Sequence, residues 1–173
     1  DKQTAIGEWS TQHPANRLEL EGRDTDFAVI TAGLGGNYYE ENLADLAEHL
    51  GEGSLPARLH ISAYPVPVES IRSLCSQASR VLVIEEGMPF LEEKLHGILG
   101  APLTIHGKLD GSLPRTGELN PDNVRNALGL PPRENLQFEV PDLPGRPPQL
   151  CRGCPHCDSF DVIKKAVEGE TSY

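Results

Sequence analysis

Cys151, Cys154 and Cys157 fall within seven residues of one another, with His156 beside the last of them. A C-x-x-C pair brings two thiolates to one side of a loop, as zinc and iron–sulfur sites require. An iron–sulfur cluster takes four thiolates, and the only other cysteine, Cys75, falls on the apolar face of an expected helix. There a thiol behaves as a small buried hydrophobe. Zinc held by Cys151, Cys154, Cys157 and His156 is a second arrangement, strained because His156 and Cys157 are adjacent. The third, which the spacing favours, is a half-site whose remaining ligands lie outside this chain. Such tight clustering does not suit a disulfide framework and points to a reducing cytoplasm.

Other residues have weaker claims to chemistry. Glu85 and Glu86 close an apolar run, and neighbouring carboxylates push their pKa values apart as an acid/base pair does. Adjacent strand residues point to opposite faces, however, which favours capping of the next helix or pairing across a domain interface. His60 and His106 each end a strand and converge at the carboxyl edge of the sheet or serve as hydrogen-bonded structural residues. Gly33-Leu34-Gly35-Gly36 turns N–H groups toward a helix N-terminus, where an anion or nucleotide would bind. It lacks the third glycine of a dinucleotide fingerprint and the lysine of a phosphate loop, so a tight turn is the favoured reading. No Ser–His–Asp or Cys–His arrangement has recognisable local context, and no Gly-Asp-Gly run is present to hold a magnesium diphosphate. No residue is assigned a catalytic role.

The elements that position these residues follow from hydrophobic period. Val81-Leu82-Val83-Ile84 reads as a strand buried on both faces, and Gly87 and Pro89 turn the chain into a helix over 90–99. In that helix Leu91, Leu95, Ile98 and Leu99 fall at helical spacing. The alternation recurs. A strand over 27–32 precedes a helix over 38–50 capped by Asn37, and a strand over 57–62 precedes a helix over 68–78. A fourth strand over 103–106 leads through a loop carrying Lys108, Asp110 and Arg115 to a short helix over 124–128, opened by Asn120-Pro121-Asp122. Four such units predict an α/β three-layer sandwich with a mainly parallel sheet and right-handed crossovers.

At 173 residues the chain buries one good core. Residues 1–26 are polar and turn-rich, an arm or linker, and residues 27–130 hold the α/β domain. Six prolines between positions 131 and 148 make 131–149 a stiff tether, a Pro-rich C-terminal extension. Beyond it, residues 150–173 open a second domain whose helix, capped by Asp158, carries Phe160, Ile163 and Val167 with little chain to pack against. A net charge of -11 repels phosphate backbones and anionic lipid, so neither nucleic acid nor a membrane surface is expected as a partner. No apolar run approaches the roughly 20 residues that cross a bilayer. The chain opens on Asp1 and holds one methionine, Met88, so a processed chain or a piece of a longer one is expected.

Several segments, in order, resemble the α subunit of indolepyruvate:ferredoxin oxidoreductase, in the family of thiamine-diphosphate-dependent 2-oxoacid oxidoreductases. They are Ile30-Thr31-Ala32-Gly33, Tyr64-Pro65-Val66-Pro67-Val68-Glu69 and Val81 to Glu86, then Ile105-His106-Gly107-Lys108, Gly117 to Asp122 and Arg146 to His156. The resemblance implies that residues 27–130 are a transketolase C-terminal-like domain and that Arg146 onward opens the thiamine-diphosphate-binding domain. In related enzymes a similar C-x-x-C supplies two ligands to a [4Fe–4S] cluster, which here implies a half-site at Cys151 and Cys154. Arg152 stands where the family has proline, and Cys157 where it has arginine. The whole enzyme, by resemblance, oxidatively decarboxylates aryl pyruvates to acyl-CoA and passes electrons to ferredoxin. It uses thiamine diphosphate, magnesium and iron–sulfur clusters, and pairs with a β subunit. The pyrimidine-binding domain, diphosphate motif and ferredoxin-like tail are missing here, so this stretch is expected to hold no cofactor and to be inactive alone. Apolar surface left for the missing domains predicts self-association. The alternative is a small metal-binding or redox module built on Cys151, Cys154 and Cys157.

Overall fold

Val81, Leu82, Val83 and Ile84 are each at most 1% exposed, and successive side chains enter different cores. Val81 and Val83 join Ala28, Ile30, Leu59 and Ile71 on one side of the sheet. Leu82 and Ile84 join Val29, Tyr39, Leu46 and Val124 on the other. This two-sided burial is what an interior parallel strand requires, and each such side chain contributes about 1.5–3 kcal/mol. A computed structural model describes residues 1–20, 24–51, 54–76, 78–99, 103–134, 145 and 149–169.

The chain divides into two compact units, Asp1–Glu134 and Asn135–Tyr173. In the first, strands β1 (Arg17–Glu19), β2 (Asp24–Ala32), β3 (Pro56–Ile61), β4 (Arg80–Ile84) and β5 (Thr104–His106) form one sheet in the order β1-β3-β2-β4-β5. β2 pairs in parallel with β3 and β4, and β4 in parallel with β5, while β1 runs antiparallel to β3. Helices α4 (Val68–Cys75) and α5 (Phe90–Ile98) bury Ile71, Leu74, Leu91 and Leu95 against one face. Helices α2 (Gly35–Glu40), α3 (Leu43–Leu50) and α6 (Pro121–Ala127) cover the other with Tyr39, Leu46 and Val124. The result is a three-layer α/β unit with a mixed sheet, parallel except at β1.

Residues 1–20 belong to this unit. Helix α1 (Lys2–Gln12) and β1 are tied to the turn after β3 by two buried side chains, Ser10 and Asn16. Asn16 accepts the N–H groups of Ser62 and Ala63 at 2.8 and 2.9 Å and donates to the carbonyls of Ser10 and Ala63. The apolar residues of α1, Ile6 and Trp9, are about half exposed, so the helix carries no amphipathic stripe for a sequence reading to find.

The helix expected over 38–50 is two helices, and Asn37 caps neither. Asn42 breaks it. Fully buried, it donates to the carbonyls of Tyr38 and Pro121, both at 2.9 Å, and so ties α2 to the start of α6. Its side-chain oxygen accepts from Arg125 at 3.4 Å and Arg133 at 3.3 Å. Arg125, itself buried, also pairs with Asp45 of α3. The helix expected over 68–78 ends at Cys75.

In the second unit, α7 (Pro155–Ala166) starts with proline in its first turn and Cys154 as N-cap, so Asp158 lies in the first turn instead of capping. Phe160, Ile163 and Val167 of this helix are each more than half exposed. The proline-rich tether expected over 131–149 lies mostly outside the described residues. Among the described residues no helix is long and apolar enough to cross a membrane.

Replacing Asn42 with alanine removes the side-chain donor to two partly buried carbonyls and one of several acceptors of Arg125 and Arg133. Asn42→Ala is expected to cost about 1–3 kcal/mol, read as a lower urea midpoint at unchanged m.

Candidate functional site

The carboxyl edge of the parallel strands gathers most of the singled-out polar residues, and the structure assigns them to positioning. Glu85 leaves β4 only 5% exposed. Its carboxylate accepts the N–H of Leu91 at 2.9 Å and that of Glu92 at 3.0 Å. Helix α5 has no side-chain cap from its own N-cap residue, Pro89, so Glu85 fills that role from the preceding strand. Burial raises the Glu85 pKa; the Leu91 and Glu92 N–H groups lower it, the Glu92 carboxylate raises it further, and Lys108 offsets part of the rise. Glu92, on α5 and 1% exposed, reaches the loop after β5 and accepts the N–H of Lys108 at 2.7 Å and that of Leu109 at 3.1 Å. Lys108 returns the contact, its Nζ donating to the Gly87 carbonyl at 2.6 Å. A Cβ on Gly107 would sit 2.5 Å from Glu92 Oε2, so this loop closes on the carboxylate only with glycine there.

Glu85 and Glu86 therefore do not act as an acid/base pair. Glu86 is exposed and accepts from the Tyr38 hydroxyl, whose pKa is raised by burial and by that carboxylate. Capping by Glu85 was legible from the sequence. The grip of Glu92 on the Lys108 loop was not, because it sits inside a helix with no motif around it.

His60 and His106 do not converge. Two strands, β2 and β4, separate their own strands, about 14 Å by strand spacing. His60 Nδ1 lies 2.8 Å from Thr31 Oγ1, and Nε2 lies 2.9 Å from Ser62 Oγ. Burial, with Arg17 and Arg58 nearby, lowers its pKa and favours the neutral ring. His106 Nδ1 lies 2.7 Å from Asp110 Oδ2, and Asp110 also accepts the N–H groups of Gly107 and Ser112 at 3.0 Å. Burial alone would raise the Asp110 pKa, but those N–H groups with His106 and Ser112 hold it well below the usual carboxylate range.

The glycine turn serves close packing. A Cβ on Gly35 would meet the Ile84 carbonyl oxygen at 2.4 Å, and one on Gly36 the His60 ring at 2.7 Å. Those approaches account for Gly35 and Gly36, and a φ of +54° accounts for Gly33, without an anion.

In the second unit Cys151 and Cys154 share a tight turn, the Cys154 N–H donating to the Cys151 carbonyl at 3.0 Å. Cys154 Sγ lies 3.1 Å from His156 Nδ1. Among the described residues no group of three or more His, Cys, Asp or Glu side chains is arranged to hold a metal ion. The self-sufficient metal module therefore has no geometric support. Cys75 is buried in the first unit, where burial pushes its thiol up to about 11, which suits an inert core residue.

The two shifted carboxyls bend the stability curve in opposite directions. Glu85 holds its proton above the ordinary 4.5, so its contribution is full below that pH and is lost as pH rises through the folded-state value. Asp110 lies below the ordinary 3.8, so its contribution is full above that pH and is lost as pH falls through the folded-state value. In urea titrations across pH, Glu85→Gln should flatten the decline above 4.5, and Asp110→Asn the acid limb below 3.8. Glu85→Ala, which leaves buried N–H groups unpaired, should cost about 1–3 kcal/mol.

The chain matches no protein-family model and no solved structure. It is 34% identical over 174 residues to the indolepyruvate oxidoreductase subunit IorA of Methanothermobacter thermautotrophicus, covering 97% of this chain and 27% of that protein. It is 33% identical to the subunit of the same name from Methanothermobacter marburgensis, covering 90% of this chain and 26% of the relative. For that of Archaeoglobus fulgidus the identity is 33%, covering 84% of this chain and 24% of the relative. The chain spans about a quarter of the length of these curated relatives. Over the span it matches, the chain belongs to the family of the indolepyruvate oxidoreductase subunit IorA.

Proposed function

We propose that this chain is a scaffold segment of a thiamine-diphosphate-dependent 2-oxoacid:ferredoxin oxidoreductase. In this reading residues 27–130 are its transketolase C-terminal-like domain, 131–149 the linker, and 150–173 the opening of the thiamine-diphosphate-binding domain. The whole enzyme oxidatively decarboxylates indolepyruvate-type aryl pyruvates to acyl-CoA in the cytoplasm and delivers the electrons to ferredoxin. It works with a second subunit. The observation that carries the reading is the collinear similarity to IorA subunits over most of this chain but only about a quarter of theirs. The sheet-edge chemistry agrees with a positioning role, since Glu85 and Glu92 are occupied by backbone N–H groups.

The residues present do not make a thiamine diphosphate site, because the chain contains no Gly-Asp-Gly run. Cys151 and Cys154 supply two thiolates on one turn, half of what a four-thiolate cluster takes. We assign them as a half-site completed by ligands elsewhere in the enzyme. The exposed apolar residues of α7 and, on the first unit, Tyr64, Met88 and Phe90 are docking surface for the other domains, and in isolation they favour self-association.

Two experiments test this. Assayed anaerobically with indolepyruvate, CoA, thiamine diphosphate and a viologen dye, the chain alone should not reduce the dye. Grafted in place of the matching span of the Methanothermobacter thermautotrophicus subunit and combined with its partner subunit, it should. Turnover by the chain alone, or a folded and cofactor-loaded graft that stays inactive, contradicts the assignment. Metal analysis of the anaerobically purified chain should find well under one iron or zinc per molecule. A stoichiometric metal lost in Cys151→Ser would instead make this turn a complete site.

A further inference from the structure

Cys157 takes no part in the Cys151–Cys154 turn, yet it repeats that spacing. Cys154-Pro155-His156-Cys157 is a second C-x-x-C, and it shares Cys154 with the first. Cys154 is the N-cap of α7 and Cys157 the third residue of the helix. Side chains at these two positions are neighbours, since each can reach the other's backbone N–H, as in a capping box. The Cys157 N–H donates to the Cys154 carbonyl at 3.0 Å. A turn closed by such a bond holds its end Cα atoms within about 7 Å, and a disulfide spans about 4.4–6.8 Å.

Two further observations single out this pair. In the second unit every described residue is exposed except Cys154 and Cys157, which are half-buried. They are the two groups that the local fold gathers, and each keeps enough surface for a small reagent to reach it. Cys154 Sγ also lies 3.1 Å from His156 Nδ1, a contact that orients the sulfur within the turn. Cys151 is exposed and precedes the helix, and Cys75 is buried in the first unit. All four thiols are free.

We propose that Cys154 and Cys157 are a reversible dithiol–disulfide couple that exchanges with small organic disulfides. The Cys154 sulfur attacks one sulfur of the external disulfide, which forms a mixed disulfide and releases one thiol. The Cys157 sulfur then attacks the Cys154 sulfur, releasing the second thiol and closing the Cys154–Cys157 bond. Two electrons pass from the protein dithiol to the external disulfide, and the two cysteine protons leave on the released thiols. The couple stands without the oxidoreductase reading. Under that reading, closure withdraws Cys154 from the half-site and makes its ligand supply depend on redox state.

The test equilibrates the anaerobically purified whole chain with mixtures of glutathione and glutathione disulfide. The chain is then quenched, alkylated in denaturant and mapped by mass spectrometry. One internal bond should form, between Cys154 and Cys157, with Cys75 and Cys151 alkylated. Closure should be favoured about tenfold or more over the same chain equilibrated in urea, where the spacing survives and the turn does not. Cys151→Ser should leave the equilibrium within about twofold. Cys157→Ser should leave Cys154 carrying glutathione instead of bonded to Cys151. A bond mainly between Cys151 and Cys154 in either the unaltered or the Cys157→Ser chain would overturn the proposal. So would glutathione adducts without any internal bond, or closure as favourable in urea as in the folded chain.

Discussion

Glu85 and Glu92 are buried carboxylates held by backbone N–H groups, with no ion-paired arginine among the described residues. A carboxylate taken out of water this far persists only when its lone pairs are used. Each is used to join consecutive elements, β4 to α5 through Glu85 and α5 to the loop after β5 through Glu92. Lys108 closes the circuit on Gly87. Strand, helix and following loop are therefore fixed together at the edge of the sheet, and Gly107 is held to glycine because the carboxylate occupies the place of a side chain.

Much of this was legible from residue order. β2 and β4 are continuous apolar runs, and α5 shows a clean helical stripe, so their existence and type followed from period alone. The break at Asn42 did not, because Leu43, Leu46 and Leu50 fit one uninterrupted helix just as well. What decides it is the Pro121 carbonyl, 79 residues away. The separation of His60 from His106 depends on strand order, which no local pattern encodes. Helix α1 gave no signal because polar contacts from Ser10 and Asn16 hold its end, while its large apolar residues stay outside.

The candidate chemistry divides in the same way. The cysteine turn was readable from spacing, and Cys151 and Cys154 do sit on one turn. The glycine-rich turn, read from the sequence as a tight turn in preference to a ligand loop, is explained by the approaches of Ile84 and His60. A motif shared with a family therefore marks either a contact with a ligand or a contact within the fold. At this sheet edge Glu85, Gly107 and Lys108 mark contacts within the fold.

Both outermost strands, β1 and β5, are three residues long. An incoming strand from another molecule would find only a few unpaired N–H and C=O groups on either flank, too few to set a register. Association of this polypeptide with its own kind or with neighbouring domains is thus left to side-chain surfaces. A stretch with such blunted flanks is protected against the edge-to-edge polymerisation that threatens longer exposed β-ribbons.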